Sequence, residues 1–595
     1  MDSVGTVWQA LKVMARCLPR RRKRQAVLTV GLMLLGAAAE MLSVSAVYTF
    51  LSFLLNQAGG STTPSWNPLL NWIPDGPNQV MVVTTTFIAV MLTTAVLRLA
   101  LVWMTNSFST NTGLDLSAVA FRKITTQSYD FYLSTGTPKI LSAFEKIYFT
   151  TIVIGVAVQA LVSTVVAMIM IAFLLVINFW VAISLGTALI GSYVLISVLS
   201  RRTLVRNSEL FAGALRDRVQ HIQQAIGGIR DILLDRSQWV FQRDFEQTNN
   251  QIRRPQVVNN FLALAPRTII EALGMTAIAI VAVVLSGNEG GIVAALPMLG
   301  GLAIGAQRLV PLLQQSYNGW SSLFGTRETF MEVAGMLALP DLSQSRPDAG
   351  ELPFRSEIEF RRVSFGYVAD RPVLQDINFK ICKGEHIGVI GSTGSGKSTL
   401  TDLLLGLLAP TSGAIVIDGR PLTRPTLAAW QAQVAHVPQA IYLSDDTIAR
   451  NIAFGVFRDE IDMSLVESAA SSAGLHDFIL SLPQGYETRC GERGIRLSGG
   501  QRQRIGIARA LYKRATVLVL DEATSALDNA TELAVMDSIA RLSSDITVIM
   551  VAHRLSSLAR CRRILQVEGG TVREIDPVEA GIQAIVPPAA SNDRP

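Results

Sequence analysis

Six long apolar segments fill the first 330 residues of this 595-residue chain. A helix needs about 20 predominantly apolar residues to cross a hydrocarbon core of about 30 Å. Backbone polar groups inside that core must find partners within the protein, so each run predicts a membrane-spanning helix. The predicted spans are residues 25–55, 79–106, 149–177, 179–200, 260–286 and 292–317.

The third and fourth spans form one continuous apolar stretch from Phe149 to Leu199. Because about 20 residues suffice for one crossing, this stretch predicts a tight hairpin at residues 178–180. The connections 107–148 and 201–259 are long and compatible with helix, so we expect helices that continue beyond the membrane. Their turns are predicted where Gly and Pro interrupt the pattern, at residues 136–138 and 227–228.

The placement of Lys and Arg orients the spans, because cytoplasmic loops carry an excess of both residues. Six basic residues lie between positions 16 and 24, and ten arginines lie between 201 and 255. The loops 56–78 and 287–291 contain neither residue. We therefore expect the N-terminus and the C-terminal part to be cytoplasmic, with the chain in the inner or plasma membrane. The first apolar run is too long for a cleaved signal peptide.

The composition argues against several other classes of protein. Charged residues make up 16% and hydrophobic residues 49% of the chain, which excludes intrinsic disorder. The net charge of +6 reflects the cytoplasmic arginines, so no nucleic-acid partner is predicted. The four cysteines, at 17, 382, 490 and 561, are far apart, so neither a zinc site nor a disulfide framework is expected.

A glycine-rich sequence, GSTGSGKST, lies between an apolar strand at 386–390 and a predicted helix at 400–408. It matches the phosphate-binding pattern G-x-x-x-x-G-K-[ST] in its required context. Glycines let backbone N–H groups surround phosphate oxygens, and the helix N-terminus favours negative charge. We expect Lys397 to reach the β- and γ-phosphates of ATP and Ser398 to offer its hydroxyl to Mg²⁺. The predicted ATP-binding loop consists of Gly391, Ser392, Thr393, Gly394, Ser395, Gly396, Lys397, Ser398 and Thr399.

A second motif ends an apolar strand at 517–520 with two carboxylates, Asp521 and Glu522. Asp521 is expected to hold Mg²⁺, directly or through water. Glu522 is placed to polarise the water that attacks ATP.

Both motifs lie in residues 357–575, where short strands and helices alternate, which predicts an α/β P-loop ATPase domain. Residues 1–330 are predicted to form an all-α transmembrane domain of six helices. The polar stretch 331–356 is predicted to be a linker, and residues 576–595 a loose tail.

The sequence LSGGQ at 497–501 is the signature of ATP-binding cassette proteins, and the chain resembles that family over nearly its whole length. The other family motifs follow in the expected order. They are Tyr367 as the aromatic that stacks on adenine, Gln439 in the Q-loop, residues 490–494 as the X-loop of exporters, residues 525–528 as the D-loop and His553 as the switch histidine. Six spans ahead of one cassette resemble an exporter-type half-transporter.

The resemblance implies that two chains enclose each ATP. The residues of one chain that would cap the γ-phosphate held by the other are Ser498, Gly499, Gly500 and Gln501. Gln439 would join Ser398 and Asp521 at Mg²⁺, and His553 would contact the γ-phosphate and orient the water. Because the catalytic positions all match the consensus, a homodimer with two working sites is expected, and a similar partner chain is the alternative.

Charged residues inside membrane spans are costly and usually functional. Arg98, Arg267 and Arg308 lie in the inner half of the predicted spans or at their inner edge. Guanidinium groups bind phosphate through paired hydrogen bonds, so the three arginines are predicted to bind an anionic cargo. Two alternatives are open: the arginines snorkel to the interface, or Arg267 simply pairs with Glu271 at i, i+4.

Residues 266–271 and 306–311 are similar to segments of PglK-type exporters, which flip lipid-linked oligosaccharides. That family has a short external helix between the first two spans, and residues 65–73 occupy its place here, with an ordinary hydrophobic loop as the alternative. The resemblance implies an ATP-driven flippase of a lipid-linked oligosaccharide or another anionic lipid-linked glycan. An exporter of lipid, drug or peptide is the alternative. A soluble cassette ATPase acting on nucleic acid is excluded by the six spans, and a cassette that regulates a channel is a more distant possibility.

Overall fold

The computed structural model describes residues 6–57, 79–177, 179–286, 291–342, 352–368, 371–522, 532, 545–552, 558–559 and 561–581. The chain divides into two compact units. The first comprises Met1–Gln127 and Tyr132–Leu342, and the second comprises Ser128–Phe131 and Ser343–Pro595.

Helices account for the regular structure of the described part of the chain up to residue 342. In chain order they are α1 (Val7–Cys17), α2 (Arg20–Gln57), α3 (Gln79–Thr125), α4 (Tyr129–Thr135), α5 (Thr137–Ile177), α6 (Phe179–Gly227), α7 (Ile229–Leu234), α8 (Gln238–Ser286), α9 (Gly291–Gly325) and α10 (Arg327–Leu337).

The predicted spans lie within the six long helices α2, α3, α5, α6, α8 and α9. Helix α3 has 47 residues, so at 1.5 Å per residue it is about 70 Å long, more than twice the thickness of a hydrocarbon core. Helices α3 and α6 thus continue about 20 residues or more past the predicted spans, as expected for the long connections. The predicted turns are also confirmed: Gly136, at φ +75°, separates α4 from α5, and α6 ends at Gly227.

Four of these helices carry stretches that are long and apolar enough to cross a membrane, counting only residues that the structure describes. The stretches are Arg20–Val47, Val80–Thr125, Thr137–Ala172 and Gly186–Gly227. The other two predicted spans, in α8 and α9, include residues whose side chains lie outside the described set.

Close helix packing positions the membrane helices. A Cβ atom placed on Gly319 of α9 would lie only 2.2 Å from the Cβ of Ala160 on α5, so the missing side chain lets the two helices approach. The buried amide of Gln314 also forms hydrogen bonds between helices. Its Nε2 donates to the carbonyl of Ala263 at 2.6 Å. Its Oε1 accepts from the hydroxyl of Tyr193 at 3.0 Å, so α9 is linked to α6 and α8.

The second unit combines two sheets with helices. Its described elements are β1 (Glu357–Phe365), β2 (Leu374–Cys382), β3 (His386–Ile390), α11 (Lys397–Leu404), β4 (Ser412–Ile417), β5 (Arg420–Pro421), α12 (Arg424–Gln433), β6 (Val434–Val437), α13 (Ile448–Ile452), α14 (Met463–Ser472), α15 (His476–Ser481), α16 (Gly499–Tyr512), β7 (Val517–Asp521), β8 (Thr547–Val551), β9 (Arg563–Glu568) and β10 (Thr571–Ile575).

The larger sheet has the strand order β10-β9-β3-β8-β7-β6 and is parallel except for β10. Strand β7 is buried on both faces up to its last residue, which explains its continuous apolar sequence. Ligands of open α/β sheets bind beyond the carboxyl ends of parallel strands. The segments that follow β3, β6 and β7 therefore meet at one edge of the sheet.

Candidate functional sites

The phosphate-binding loop connects β3 to α11, as predicted. Gly394 and Gly396 have φ angles of +80° and +108°, which residues with a Cβ rarely adopt. A Cβ on Gly396 would also lie 2.9 Å from Leu374. These two glycines allow the tight curvature that aims backbone N–H groups into the loop.

Lys397, the first residue of α11, is buried, and its ammonium lies inside the loop. Its Nζ donates to the carbonyl oxygens of Gly391 at 2.8 Å and Ser392 at 2.9 Å. The hydroxyl of Ser395 is buried without a hydrogen-bond partner among the described residues. A buried hydroxyl without a partner is costly, so this loop is built to receive a polar ligand.

Tyr367 lies beside the loop, with half of its surface exposed. Its hydroxyl is 3.3 Å from Oγ1 of Thr399, and its ring packs edge-on against Phe365. The hydrogen bond and the ring contact hold an exposed aromatic surface next to the phosphate-binding helix. This position suits the adenine contact that was predicted for Tyr367.

The two carboxylates stand at the end of β7, next to the segment that follows β6. Glu522 has a φ of +49°, unusual for a residue with a side chain, and its N–H donates to the carbonyl of Val551 at 2.9 Å. Its Oε2 accepts a hydrogen bond from Nε2 of Gln439 at 2.5 Å. Gln503 of α16 donates to its carbonyl oxygen at 3.4 Å. The structure thus brings together Gln439 and Glu522, which are 83 positions apart in sequence.

Asp402 is a residue of this site that the sequence interpretation missed. It lies in α11 four positions after Ser398, hence on the same helix face, and that spacing was the available signal. Burial first, and then the charge of Asp521, raise the pKa of Asp402 to about 6. Two carboxylates close enough to interact create a negative site beside the phosphate-binding loop.

The signature sequence forms the beginning of α16. Oγ of Ser498 accepts from the backbone N–H of Gln501 at 3.2 Å, and the side chain of Gln501 accepts from the N–H of Ser498 at 2.8 Å. This capping box fixes the first turn and leaves Gly499 and Gly500 there with no side chain to obstruct an approaching anion. The predicted switch residue His553 and the predicted D-loop at 525–528 lie outside the described residues, as does the predicted external helix at 65–73.

In the first unit, two of the three predicted cargo arginines converge on one acid. Glu40 on α2 is only 8% exposed. Its Oε1 accepts from Nε of Arg98 on α3, and its Oε2 lies 3.3 Å from NH1 of Arg308 on α9. Arg267 is not part of this cluster, because its Nε pairs with Glu271 on the same helix at 2.7 Å.

Known proteins resemble the chain across both units. A family model described as ABC transporter matches residues 374–525. An "ATP-dependent lipid A-core flippase" of Burkholderia orbicola is 31% identical over 486 residues, which is 79% of this chain and 79% of that protein. An "ATM1-type heavy metal exporter" of Novosphingobium aromaticivorans is 38% identical over 262 residues, covering 44% of this chain and 41% of the exporter.

A solved structure extends the likeness to the fold. The ATP-bound structure of a bacterial Atm1-family ABC exporter superposes with a TM-score of 0.76 at 25% identity, covering 94% of this chain and 96% of the other. A helical transmembrane region followed by an α/β nucleotide-binding domain is thus confirmed. The protein is a multi-pass membrane protein that binds ATP and couples its hydrolysis to transport. The chain belongs to the ATP-binding cassette transporter family and has the exporter fold.

Proposed function

We propose that the chain is an ATP-driven flippase of an anionic lipid-linked glycan, such as a lipid-linked oligosaccharide with a diphosphate head. The observation that carries the proposal is the cluster of Glu40, Arg98 and Arg308. One carboxylate faces two guanidinium groups, so the cluster keeps one net positive charge within the membrane helices. The chain's similarity to a protein named a lipid A-core flippase supports a lipid cargo.

An unbalanced cation in a membrane helix is expensive, so its retention favours a function. Snorkelling explains an arginine that extends alone toward the interface. Arg98 and Arg308 instead turn toward Glu40, which is buried between helices. The side chain of Arg98 is 53% exposed, so it keeps donors accessible for a phosphate while it contacts the acid.

Arg267 has a smaller part in the proposal. Its charge is balanced by Glu271, and both side chains are about half exposed. An ion pair of this kind contributes little and is easily opened. We therefore expect Arg267 to assist cargo at most by attraction, whereas Arg98 and Arg308 bind it directly.

We further propose the roles of the cassette residues. The loop 391–399 and Tyr367 hold ATP, and Lys397 turns from the loop carbonyls to the β- and γ-phosphates. Glu522 accepts the proton of the attacking water, and His553 orients that water. The loop 391–399 would hold the ATP of its own chain, and the exposed first turn of α16 lies outside that loop. We therefore assign residues 498–501 to the ATP that is bound by a second copy, which makes the working unit a homodimer.

Three oxygen-bearing side chains of the ATP site are suitable ligands for Mg²⁺. The hydroxyl of Ser398, the carboxylate of Asp521 and the amide oxygen of Gln439 are of the kind that this cation prefers. The interaction of Asp402 with Asp521 indicates that negative charge accumulates at this point, which a divalent cation would offset. When bound, Mg²⁺ supplies charge that neutralises the phosphates. The basic N-terminal and 201–255 segments support a cytoplasmic cassette in the inner or plasma membrane.

The proposal is tested by flipping in vesicles that contain the purified chain, with ATP turnover measured on the same samples. Arg308→Ala should reduce movement of a diphosphate-linked glycolipid at least tenfold while basal ATP turnover persists. Arg308→Lys should restore it only in part, because a point charge replaces a two-pronged donor. Arg267→Ala is the comparison, since its charge is already balanced, and it should cost less.

Two results would contradict the proposal. Undiminished flipping by Arg308→Ala would show that Arg308 does not bind cargo and serves only as a structural ion-pair partner. Equal movement of drugs, peptides or uncharged lipids by the parent would favour the alternative, a general exporter.

A further inference from the structure

A cavity between α3, α5 and α9 lies apart from the arginine cluster. It measures about 740 Å³, within the range of about 300–1,000 Å³ that is usual for ligand pockets. Its walls combine apolar side chains such as Leu114, Ile147 and Ile152 with hydroxyls and amides, and none of the described lining residues is charged. The polar lining residues include Asn106, Thr110, Ser117, Gln159, Gln315 and Asn318.

The cavity has a fixed position relative to the cluster. On α3, Asn106 follows Arg98 by eight residues, and on α9, Gln315 follows Arg308 by seven. At 1.5 Å per residue both steps are about 11 Å in the same direction, toward the ends of α3 and α9 that the basic residues place in the cytoplasm. The cavity therefore begins about one helical turn from Arg98, at Val102, and its polar residues Asn106 and Gln315 lie about two turns from the arginines, on their cytoplasmic side.

Several polar groups in the lining are accessible to a ligand. Asn106 and Thr110 are exposed, and Ser117 is half-buried. Elsewhere the lining is already paired: Gln159 donates to Gln315 at 3.2 Å, and Ser109 donates to the carbonyl of Thr151 at 2.7 Å. An acyl chain would leave these hydroxyls and amides without partners, whereas a sugar can bond to them and also contact the apolar walls.

The lining also excludes an ionic occupant and suits a polyhydroxylated one. Without a cation it offers nothing to balance a phosphate. Hydroxyls and amides supply both donors and acceptors, which the hydroxyl groups of a sugar require. Tyr148 also lines the cavity and is 67% exposed, and its ring offers an electron-rich face to the C–H groups of a sugar ring.

We propose that this cavity is the binding site for the uncharged sugar portion of the cargo. The inference rests on the proposed function, since it takes the phosphate to be held at Arg98 and Arg308. A lipid whose diphosphate sits there then places its glycan about 11 Å farther toward the cytoplasm, within the cavity. The site selects cargo by its hydroxyl groups, whereas the arginines select it by charge.

The test compares two diphosphate lipids that share one tail, one bearing a short neutral oligosaccharide and one with no sugar. Flipping of both is measured in vesicles with the full-length parent, with Thr110→Val combined with Asn106→Leu, and with Thr125→Val. The last variant is a matched control, because Thr125 is exposed on the same helix outside the cavity. Loss of two hydrogen bonds should slow the glycan-bearing lipid about tenfold and leave the sugar-free lipid unchanged. Thr125→Val should behave as the parent.

The outcomes separate this inference from the proposed function. A parent that moves neither lipid refutes both. A parent that moves both lipids, with the ratio of their rates unchanged in the double variant, refutes the sugar site alone.

A helix of a second copy is the competing occupant, because hydroxyls and amides also join membrane helices. Asn106→Trp distinguishes the two by narrowing the cavity. We expect this variant to remain dimeric, as measured by its mass in detergent, and to lose the glycan-bearing lipid selectively. Dissociation of the dimer would assign the cavity to the interface and overturn the inference.

Discussion

The carboxylate of Glu522 and the amide of Gln439 are joined by a hydrogen bond of 2.5 Å. Glu522 also has a φ of +49°, a conformation that costs a non-glycine residue on the order of 1–2 kcal/mol. Strain of this kind persists where the surroundings determine it, and it concentrates at functional sites. Here the N–H and the carbonyl of Glu522 are both bonded, so the backbone is held while the side chain faces the segment after β6.

The first prediction concerns Glu522→Gln. The amide keeps the shape of the side chain and can still accept from Gln439, but it cannot take a proton. Steady-state ATP turnover should fall by about 10²–10⁴-fold, while nucleotide binding, followed by equilibrium titration, persists. Turnover at the parent rate would remove Glu522 from its proposed role.

Replacing Lys397 with Ala should act at an earlier step. The buried ammonium donates to two loop carbonyls, and its loss removes the charge proposed to hold the β- and γ-phosphates. Equilibrium titration should show weaker ATP binding by at least tenfold. Normal affinity would mean that the backbone N–H groups alone hold the phosphates.

The arrangement of the loops was predictable because local sequence determines it. Gly136 and Gly227 interrupt helical sequence, and the phosphate-binding loop has its required strand and helix neighbours. The partnership of Glu40 with Arg98 and Arg308 was not predictable, because it joins residues 58 and 268 positions apart through helix packing.

Helix α1 was also missed by the sequence interpretation. A capping box between Thr6 and Gln9 begins this helix, and its residues Ala10 and Met14 are buried in a cluster with Phe330.

The raised pKa of Asp402 predicts a dependence of stability on pH. An unfolded aspartate titrates near pH 4, whereas burial and Asp521 raise the pKa of folded Asp402 to about 6. The ionised form is therefore unfavourable in the folded protein, with no penalty below about pH 4 and the full penalty above about pH 6. Asp402→Asn should raise the temperature at which the cassette unfolds at pH 7.5 and leave it unchanged near pH 4, as measured by scanning calorimetry.

Asp418 provides a control of opposite sign. Burial would raise its pKa, but hydrogen bonds from Ser356 and from backbone N–H groups outweigh burial and lower it. Its ionised form is thus favoured in the folded protein, and Asp418→Asn should destabilise the cassette above about pH 4. If both variants shift the transition in the same direction at pH 7.5, the attribution to ionisation is wrong.

A packing prediction concerns Gly319. Because a Cβ there would lie 2.2 Å from Ala160, Gly319→Ala must move α9 away from α5, at a cost of about 1–3 kcal/mol. Gly191→Ala is the matched control, since a Cβ on Gly191 meets nothing within 4 Å. Thermal unfolding in detergent should show a loss for Gly319→Ala and none for Gly191→Ala. Equal behaviour of the two would show that α5 and α9 can separate freely at this point.

The most direct measurement of the central claim uses the parent protein and two glycolipids with the same tail and the same glycan. One is linked through a diphosphate and the other through an uncharged glycosidic bond. Their ATP-dependent movement is followed in vesicles, with Glu522→Gln as the control for coupling to hydrolysis. Because Arg98 and Arg308, which contact Glu40, are proposed to bind phosphate, we expect the diphosphate lipid to move at least tenfold faster than the uncharged lipid. The Glu522→Gln variant should move neither lipid. Equal rates for the two lipids would contradict selection of cargo by charge.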